Sequence, residues 1–270
     1  MDGRRVAAGH RAVGAAPVVM VRTPPSGRPS GVSHGAQFSR NPRMRTMKCA
    51  GDGVADGATL LTMPTTGASA AWAQEWIARR QTILPKRLGP PGPDEAQQQA
   101  LLRAAAAAPD HGQLVPWRFI DIPATARAAL GEIFVRALSE RDPSATPQQL
   151  QQAREKARRA PLLWLLVVNA NPALTTEASV PVRERILSAG CAVQNVLLLA
   201  TAMGYGSALT SGKALDATLL RDAFALNEYE LPVCFLSIGT VTQARPVRSR
   251  PEPARFYSIW MPPADLEITV

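Results

Sequence analysis

Three separated segments of the chain hold side chains whose types and spacing suit the binding of a charged ligand. The first is Arg79-Arg80-Gln81. Two adjacent guanidinium groups are permanently charged, fork-shaped donors, and such donors match the oxygens of a phosphate. A basic pair alone is more often the solvated end of a helix, so the other two segments decide between these interpretations.

The second segment surrounds His111. It runs from Ala108 to Gln113 and continues in Pro116-Trp117-Arg118-Phe119. A single histidine after a helix is more often a loop residue with satisfied hydrogen bonds than a ligand. This histidine lies in a turn bounded by prolines, directly before a Pro-Trp pair, which makes a functional role an equal alternative. His10 and His34 lie far upstream in the sequence, so we expect no multi-histidine metal site.

The third segment begins with the small residues of Ser188–Val193 and continues in Gly204-Tyr205-Gly206 and Leu209-Thr210-Ser211-Gly212. Small residues let another backbone approach closely, and Thr210 and Ser211 offer hydroxyl groups. For Leu209–Ser211 a plain strand-to-helix turn is an equal alternative.

Three other patterns are excluded by their context. Gly31–Gly35 matches the nucleophile elbow of hydrolases, but the sequence predicts no strand before it and no helix after it. Gly204-Tyr205-Gly206 follows a helix and opens a strand, which is the reverse of a dinucleotide-binding turn. The stretch from Gly206 to Lys213 resembles a P-loop, but Ala214 stands where Ser or Thr must hold Mg²⁺.

The composition narrows the class of protein. With 46% hydrophobic and 19% charged residues the chain is globular in type, and no continuous apolar run reaches the roughly 18 residues of a membrane span. The formal net charge of +9 lies mostly in the first 62 residues, so we expect neither a nucleic-acid nor a membrane partner. Cys49, Cys191 and Cys234 lack disulfide or metal spacing, and their odd number suits the reducing cytoplasm.

Two regions follow from the periodicity of the sequence. Residues 1–70 are rich in Arg, Pro, Gly and Ser and have no period, so we expect a disordered extension, or an over-long start with Met47 or Met63 as the first residue. Residues 71–270 form the expected folded domain. Predicted helices cover Trp72–Arg80, the stretch from a capping box at Asp94 and Gln97 to Pro109, Ala124–Glu140, Gln148–Arg159, Val182–Met203 and Asp216–Ala225. Predicted strands cover Arg118–Ile122, Leu162–Asn169, Tyr205–Thr210 and Pro232–Val241.

This order of elements predicts an α+β fold with a sheet between helical layers. The helix from Val182 is apolar nearly all round from Ile186 on, which predicts burial on every side, with Cys191 as a core residue. Cys234, in a strand, is predicted to be another. Residues 243–254 are rich in Pro and Arg and predict an extended arm that ends in the apolar patch from Phe256 to Trp260.

Taken together and in order, the three segments resemble the nitroreductase superfamily, most closely its short YdjA-type members, over about residues 72–260. The resemblance implies a mostly antiparallel sheet flanked by helices, an intertwined homodimer, and FMN bound between the subunits. By alignment, Arg79, Arg80, Gln81, Leu209, Thr210 and Ser211 would contact the phosphate side of FMN. His111 would contact the flavin, often of the other subunit. Leu199, Ala200, Thr201, Ala202, Met203 and Gly204 match a stretch associated with the nicotinamide nucleotide, although here they fit a core helix first.

The chain departs from the family pattern at three places. Gln81 stands where the family usually has Ser, and Leu209-Thr210-Ser211 stands for Trp-Arg-Ser, where Lys213 is a candidate to restore the charge. Ala107 replaces an Arg four residues before His111, and Lys86 or Arg87 is a candidate substitute.

The resemblance implies an FMN-dependent oxidoreductase that takes hydride from NAD(P)H and reduces a small conjugated acceptor such as a nitroaromatic or a quinone, with ping-pong kinetics. The chemistry would take place on FMN, with no catalytic side chain and no metal. A flavin-binding sensor without turnover is the alternative.

Overall fold

A sheet of five antiparallel strands divides the chain into two helical layers. The computed structural model describes residues 67–171, 180–244, 246 and 248–261. Its strands are β1 (Leu88–Gly89), β2 (Trp117–Asp121), β3 (Leu162–Asn169), β4 (Gly206–Thr210) and β5 (Glu230–Val241). Its helices are α1 (Gly67–Arg79), α2 (Glu95–Ala106), α3 (Arg127–Arg141), α4 (Pro147–Lys156), α5 (Val182–Ala202) and α6 (Thr218–Ala223).

Strands β3 and β5 form the centre of the sheet. β2 lies on the free side of β3, β4 pairs with the opposite side of β5, and β1 pairs with the last two residues of β5. Beyond β4, an isolated parallel bridge joins Thr82 to Ser207. The antiparallel, helix-flanked sheet that the resemblance implied is therefore present.

The two cores follow from the alternation of side chains along β3. All eight residues of this strand are buried, as its continuous apolarity predicts. Trp164 and Leu166 face a core shared with α2 and α5, whereas Leu163 and Leu165 face a core shared with α3. The strand thus packs against helices on both sides, which gives the three layers.

Helix α2 begins where its capping box predicts. The Asp94 carboxylate accepts from the Gln97 N–H at 2.8 Å, and the Gln97 side chain accepts from the Asp94 N–H at 3.0 Å. Tyr205, just before β4, donates its hydroxyl hydrogen to the Gln97 side chain at 2.8 Å. The start of α2 is thereby tied to the start of β4.

Helix α5 corrects one prediction. Its inner face packs on the sheet and α2, but Leu187 is 68% exposed and Ile186 and Val182 are also exposed, so the helix is not buried on every side. Cys191 lies half-buried rather than in the core. An apolar sequence alone does not distinguish a core helix from one with a free apolar face.

By length and mean hydropathy, α5 could also cross a membrane, and no other helix of the described residues could. The prediction concerned continuous apolar runs, and the polar pair Gln194-Asn195 interrupts the apolar residues of this helix. A core helix passes the same test, and α5 lies against the sheet.

Other boundaries differ in small ways from the sequence predictions. The two-residue strand β1 is too short to leave a periodic signal, and α1 begins at Gly67, inside the stretch predicted to be an extension; residues 1–66 lie outside the described residues. Cys234 is buried as predicted, and burial raises the pKa of its thiol to about 11.

The C-terminal arm has no helix or strand among its described residues except a short 3₁₀ turn at Pro253–Arg255. The apolar side chains at its tip are turned to solvent. These are Phe256, Tyr257, Ile259, Trp260 and Met261.

Gly206, the first residue of β4, provides a test of how the sheet edge is assembled. A Cβ at this position would lie 2.7 Å from Val241 Cγ2, 2.8 Å from Leu88 Cδ2 and 3.2 Å from Ile83 Cβ. We expect Gly206→Ala to lower the free energy of unfolding by about 1–3 kcal/mol, because the added methyl group would be too close to these three side chains. Thermal or urea unfolding measures this loss. Gly212→Ala is the control, since nothing lies within 4 Å of its Cβ position; equal stability of both variants would contradict the packing described here.

Candidate functional site

The first predicted segment lies where α1 ends beside β4. The Arg80 N–H donates to the Trp76 carbonyl at 3.1 Å, so the segment continues the last helical turn. Two residues later the chain bonds to the sheet edge, and the Ile83 N–H donates to the Ser207 carbonyl at 2.9 Å. Arg80 and Gln81 are therefore held between a helix end and the start of β4.

The two adjacent arginines have different surroundings. Arg79 forms an ion pair with Glu75 at 2.5 Å, and its guanidinium lies 5.4 Å from the centre of the Trp76 ring. These are the contacts of a solvated helix end, and the pair is an exposed i,i+4 pair. For Arg79 these contacts therefore favour the interpretation as a solvated helix end.

Arg80 has no such partner. No carboxylate of the described residues lies within 4 Å of its guanidinium. Partial burial lowers the pKa of Arg80, and the nearby positive charge of Arg250 lowers it further. Two like charges held together without a carboxylate favour the binding of an anion.

Arg250 lies beside Arg80, and the sequence did not predict this contact. The two arginines together form the Arg80 cluster. From the C-terminal arm the Arg250 guanidinium donates to the carbonyl of Arg80 at 2.7 Å and to that of Ala78 at 3.0 Å. Carbonyls at the last turn of a helix lack intrahelical partners, so α1 offers acceptors at this point. The only signal in the sequence is the arginine-rich arm, which does not say which arginine returns to α1.

The chemistry of this cluster fits a phosphorylated ligand. Its donors are two guanidinium groups, which match the oxygens of a phosphate dianion. Ser207, whose backbone bridges to Thr82 two residues after Arg80, has a buried hydroxyl oxygen with no hydrogen-bond partner in the part of the chain that the structure describes. A buried hydroxyl without a partner is destabilising, so a polar ligand group at this edge would satisfy it.

The segment Leu209-Thr210-Ser211 lies at the other end of β4. Leu209, Thr210, Ser211 and Lys213 are all exposed. Thr210 is three residues beyond Ser207, which in an extended strand is about 10 Å. The structure thus places the first segment and the Leu209–Ser211 part of the third segment on one edge of the sheet, spaced apart along β4 rather than around one point.

His111 lies elsewhere. Its Nδ1 is 2.8 Å from Glu184 Oε2, and Glu184 is in the first turn of α5. The Arg80 cluster lies near the opposite end of this helix, because Tyr205 and β4 follow its last turn and α1 packs against it. A 21-residue helix is about 30 Å long, so one chain does not bring His111 and Arg80 together.

The turn that holds His111 is strained. Gly112, Gln113 and Val115 have φ of 75°, 52° and 45°, and a positive φ is unusual for a β-branched residue. The Asp110 carboxylate stabilises the turn by accepting from the Val115 N–H at 2.6 Å. Such strain persists where the surroundings fix the conformation, and it is frequent at functional sites.

Arg118 of the Pro-Trp-Arg-Phe motif has a structural role. Its guanidinium bonds to Glu230, whose side chain is fully buried, at 2.8 and 2.9 Å. The same carboxylate accepts from the Asn227 N–H at 3.0 Å. This ion pair joins the edge strand β2 to the start of β5.

The stretch Leu199–Gly204 is the end of α5 and its stop. Ala200 is fully buried, Leu199 and Met203 pack against the core, and the Thr201 hydroxyl donates to the Leu197 carbonyl at 2.8 Å. Ala202 and Gly204 are exposed, and Gly204 has a φ of 87°. This placement agrees with a core helix; contact with a nicotinamide nucleotide stays a prediction.

Neither of the two candidate substitutes for the missing arginine lies beside Ala107. Ala107 caps the C-terminal end of α2, whereas Lys86 and Arg87 precede β1 and lie before the other end of that helix. Twelve helical residues, about 18 Å, lie between them. Neither side chain therefore takes that position in a single subunit.

Comparison of the sequence with protein families identifies a family. A family model described as "Nitroreductase family" matches residues 77–240. Among individual proteins, a "Putative NAD(P)H nitroreductase" of Haemophilus influenzae is 36% identical over 155 residues, which are 57% of this chain and 82% of that protein. The "Putative NAD(P)H nitroreductase YdjA" of Escherichia coli K12 is 33% identical over 168 residues, 62% of this chain and 87% of that protein.

Solved structures agree on the fold. A nitroreductase-like family protein of Bacillus cereus superposes with a TM-score of 0.59 at 19% identity, covering 69% of this chain and 94% of that one. A "putative nitroreductase in complex with FMN" of Desulfovibrio desulfuricans superposes with a TM-score of 0.51 at 23% identity, covering 70% and 97%. At these identities the likeness concerns the fold alone.

Proposed function

The chain belongs to the nitroreductase family, and from that we propose that it is an FMN-dependent oxidoreductase that takes hydride from NAD(P)H and reduces a small conjugated acceptor such as a nitroaromatic or a quinone. The relatives are named as NAD(P)H nitroreductases, and one protein with the same fold is described in complex with FMN. We propose a cytoplasmic location on the same grounds.

One observation within the chain supports this proposal most. Arg80 and Arg250 lie together at the end of α1, and neither forms an ion pair with a carboxylate of the described residues. The phosphate of FMN would supply the missing negative charge. Arg80 and Gln81 would hold the phosphate and ribityl chain, and Arg250 would act beside Arg80, while Thr210 and Ser211 would lie further along β4.

When bound, FMN would supply the redox chemistry, with a ring able to take hydride from NAD(P)H and give electrons to the acceptor. The protein positions the two substrates in turn, excludes water and provides positive charge. Because both substrates would occupy one place, we expect ping-pong kinetics. Arg79 is engaged with Glu75 and Trp76, so we assign it a smaller part than Arg80.

We further propose that the functional unit is a homodimer. His111 and Arg80 lie at opposite ends of α5, so they can meet at one flavin only if they come from different subunits. The free apolar face of α5, with Ile186 and Leu187, and the exposed arm tip, with Phe256 and Trp260, offer the surface for such an association. A non-catalytic flavin-binding protein is the alternative that these contacts would equally allow.

The absorption spectrum of the purified protein tests the function. We expect a protein that binds FMN and shows a flavin spectrum, which bleaches when NADH or NADPH is added without oxygen and returns when an acceptor such as a nitroaromatic or a quinone is added. A bound flavin that neither nucleotide bleaches would favour the non-catalytic alternative. Failure to bind FMN at all would refute the proposal.

The phosphate site is tested by comparing FMN with riboflavin, which lacks the phosphate. We expect Arg80→Ala and Arg250→Gln each to weaken FMN binding about tenfold or more, since each removes a charged hydrogen-bonding group, and to change riboflavin binding little. Arg255→Gln in the same arm is the control and should bind FMN as the unaltered protein does. An equal loss for both ligands would show that the arginines act on the fold and not on a phosphate.

The cross-subunit site is tested by mixing two variants that each bind FMN weakly. Arg80→Ala and His111→Ala homodimers should each lack a complete site. After subunit exchange, a mixed dimer has one site that combines Arg80 of one subunit with His111 of the other, so we expect FMN binding and turnover to recover partly. No recovery after confirmed exchange would place both residues at the same site of one chain or remove one from it.

A further inference from the structure

The contact between His111 and Glu184 is not explained by the stability of the fold. The Nδ1 to Oε2 distance is 2.8 Å across 73 residues of sequence, and both side chains are at least partly exposed, His111 by 71%. Exposed ion pairs contribute little to stability. The pair therefore invites another explanation.

Both partners are held firmly by their own surroundings. His111 belongs to the strained turn that Asp110 stabilises. Glu184 belongs to the first turn of α5, which the neighbouring Arg185 fixes. The Arg185 guanidinium is buried and donates to the carbonyls of Val180, Asn169 and Asn171 at 2.9, 3.3 and 2.6 Å. The backbone segments that carry the carboxylate and the imidazole are thus each fixed by hydrogen bonds.

The chemistry of the contact determines the state of the ring. An ionised carboxylate only accepts hydrogen bonds, so the Nδ1 of His111 must have a hydrogen and donate it. The second ring nitrogen, Nε2, is left for another partner. A histidine whose one nitrogen is bonded to a carboxylate has its orientation and its tautomer set by that bond.

We propose that Glu184 is a positioning residue, which orients His111 so that Nε2 faces the flavin bound by the partner subunit. This inference rests on the proposed function and adds to it a residue that acts through His111 without contacting the cofactor. Position supports it, because the pair lies at the end of α5 that is far from the chain's own Arg80.

The experiment uses the full-length chain and compares Glu184→Ala, Glu184→Gln, His111→Ala and the double variant with Ala at both positions. We expect Glu184→Ala to weaken FMN binding about three- to tenfold, as loss of one hydrogen bond would. Glu184→Gln should recover most of this loss, since its amide oxygen still accepts from Nδ1. The double variant should bind no worse than His111→Ala, because Glu184 acts only through His111.

A second measurement reports on the ring directly. In the FMN-loaded protein in mildly alkaline buffer, ¹⁵N spectra of labelled histidine should show His111 with its hydrogen on Nδ1. The signal is assigned by its disappearance in His111→Ala. In Glu184→Ala the hydrogen should move to Nε2, the form that free imidazole side chains prefer. Glu95→Ala removes the acidic residue from the first turn of α2 and is the control for effects on helix stability; it should change neither measurement.

The outcomes separate this inference from the function on which it rests. Additive losses in the double variant, unchanged FMN binding in Glu184→Ala, or an unchanged tautomer would overturn the role of Glu184 while the flavin spectrum keeps the proposed function. If His111→Ala binds FMN normally, the inference fails together with the role of His111. Absence of any flavin binding by the unaltered protein would overturn both proposals.

Discussion

The length of α5 is the constraint on which the arrangement of the candidate site depends. The helix is held on the sheet along one face, with the His111 turn at its first residues and the Arg80 cluster beyond its last. A rigid rod of about 30 Å between them means that the two groups are parts of different sites unless a second copy is present. Two chains with their α5 helices running in opposite directions would bring each His111 to the other chain's Arg80, which is the geometry that a twofold axis provides.

The surroundings of the Arg80 cluster differ from those of three other arginines among the described residues. Arg118 has the buried Glu230, Arg154 has Glu132, and the buried Arg127 donates to the carbonyls of Ala157 and Ala160. In each of these cases the protein supplies the acceptors itself. At the end of α1 the protein supplies carbonyl acceptors for Arg250, but Arg80 meets this second cation and no carboxylate of the described residues. Two neighbouring cations are unfavourable without an anion and favourable with one.

Local patterns made much of the fold predictable. The apolar run of β3, the capping box of α2 and the bounds of α5 depend on neighbours in sequence, and each was found where its pattern placed it. The three segments of the candidate site were chosen by type and spacing, and their binding roles stay predictions. The contacts that distinguish their members were not predictable, because Arg250 meets Arg80 across 170 residues and Glu184 meets His111 across 73. An apolar helix likewise gives no sign of which face stays free.

The exposed face of α5 has a thermodynamic consequence. If the association that covers Leu187 also completes the cofactor pocket, subunit association and FMN binding are coupled. Dilution and loss of FMN would then both favour dissociation of the dimer. Added FMN would then hold subunits together at concentrations where the apoprotein falls apart, and the midpoint of heat denaturation would rise with both protein and flavin concentration. Bound FMN would thus stabilise the dimer in addition to its role in the reaction.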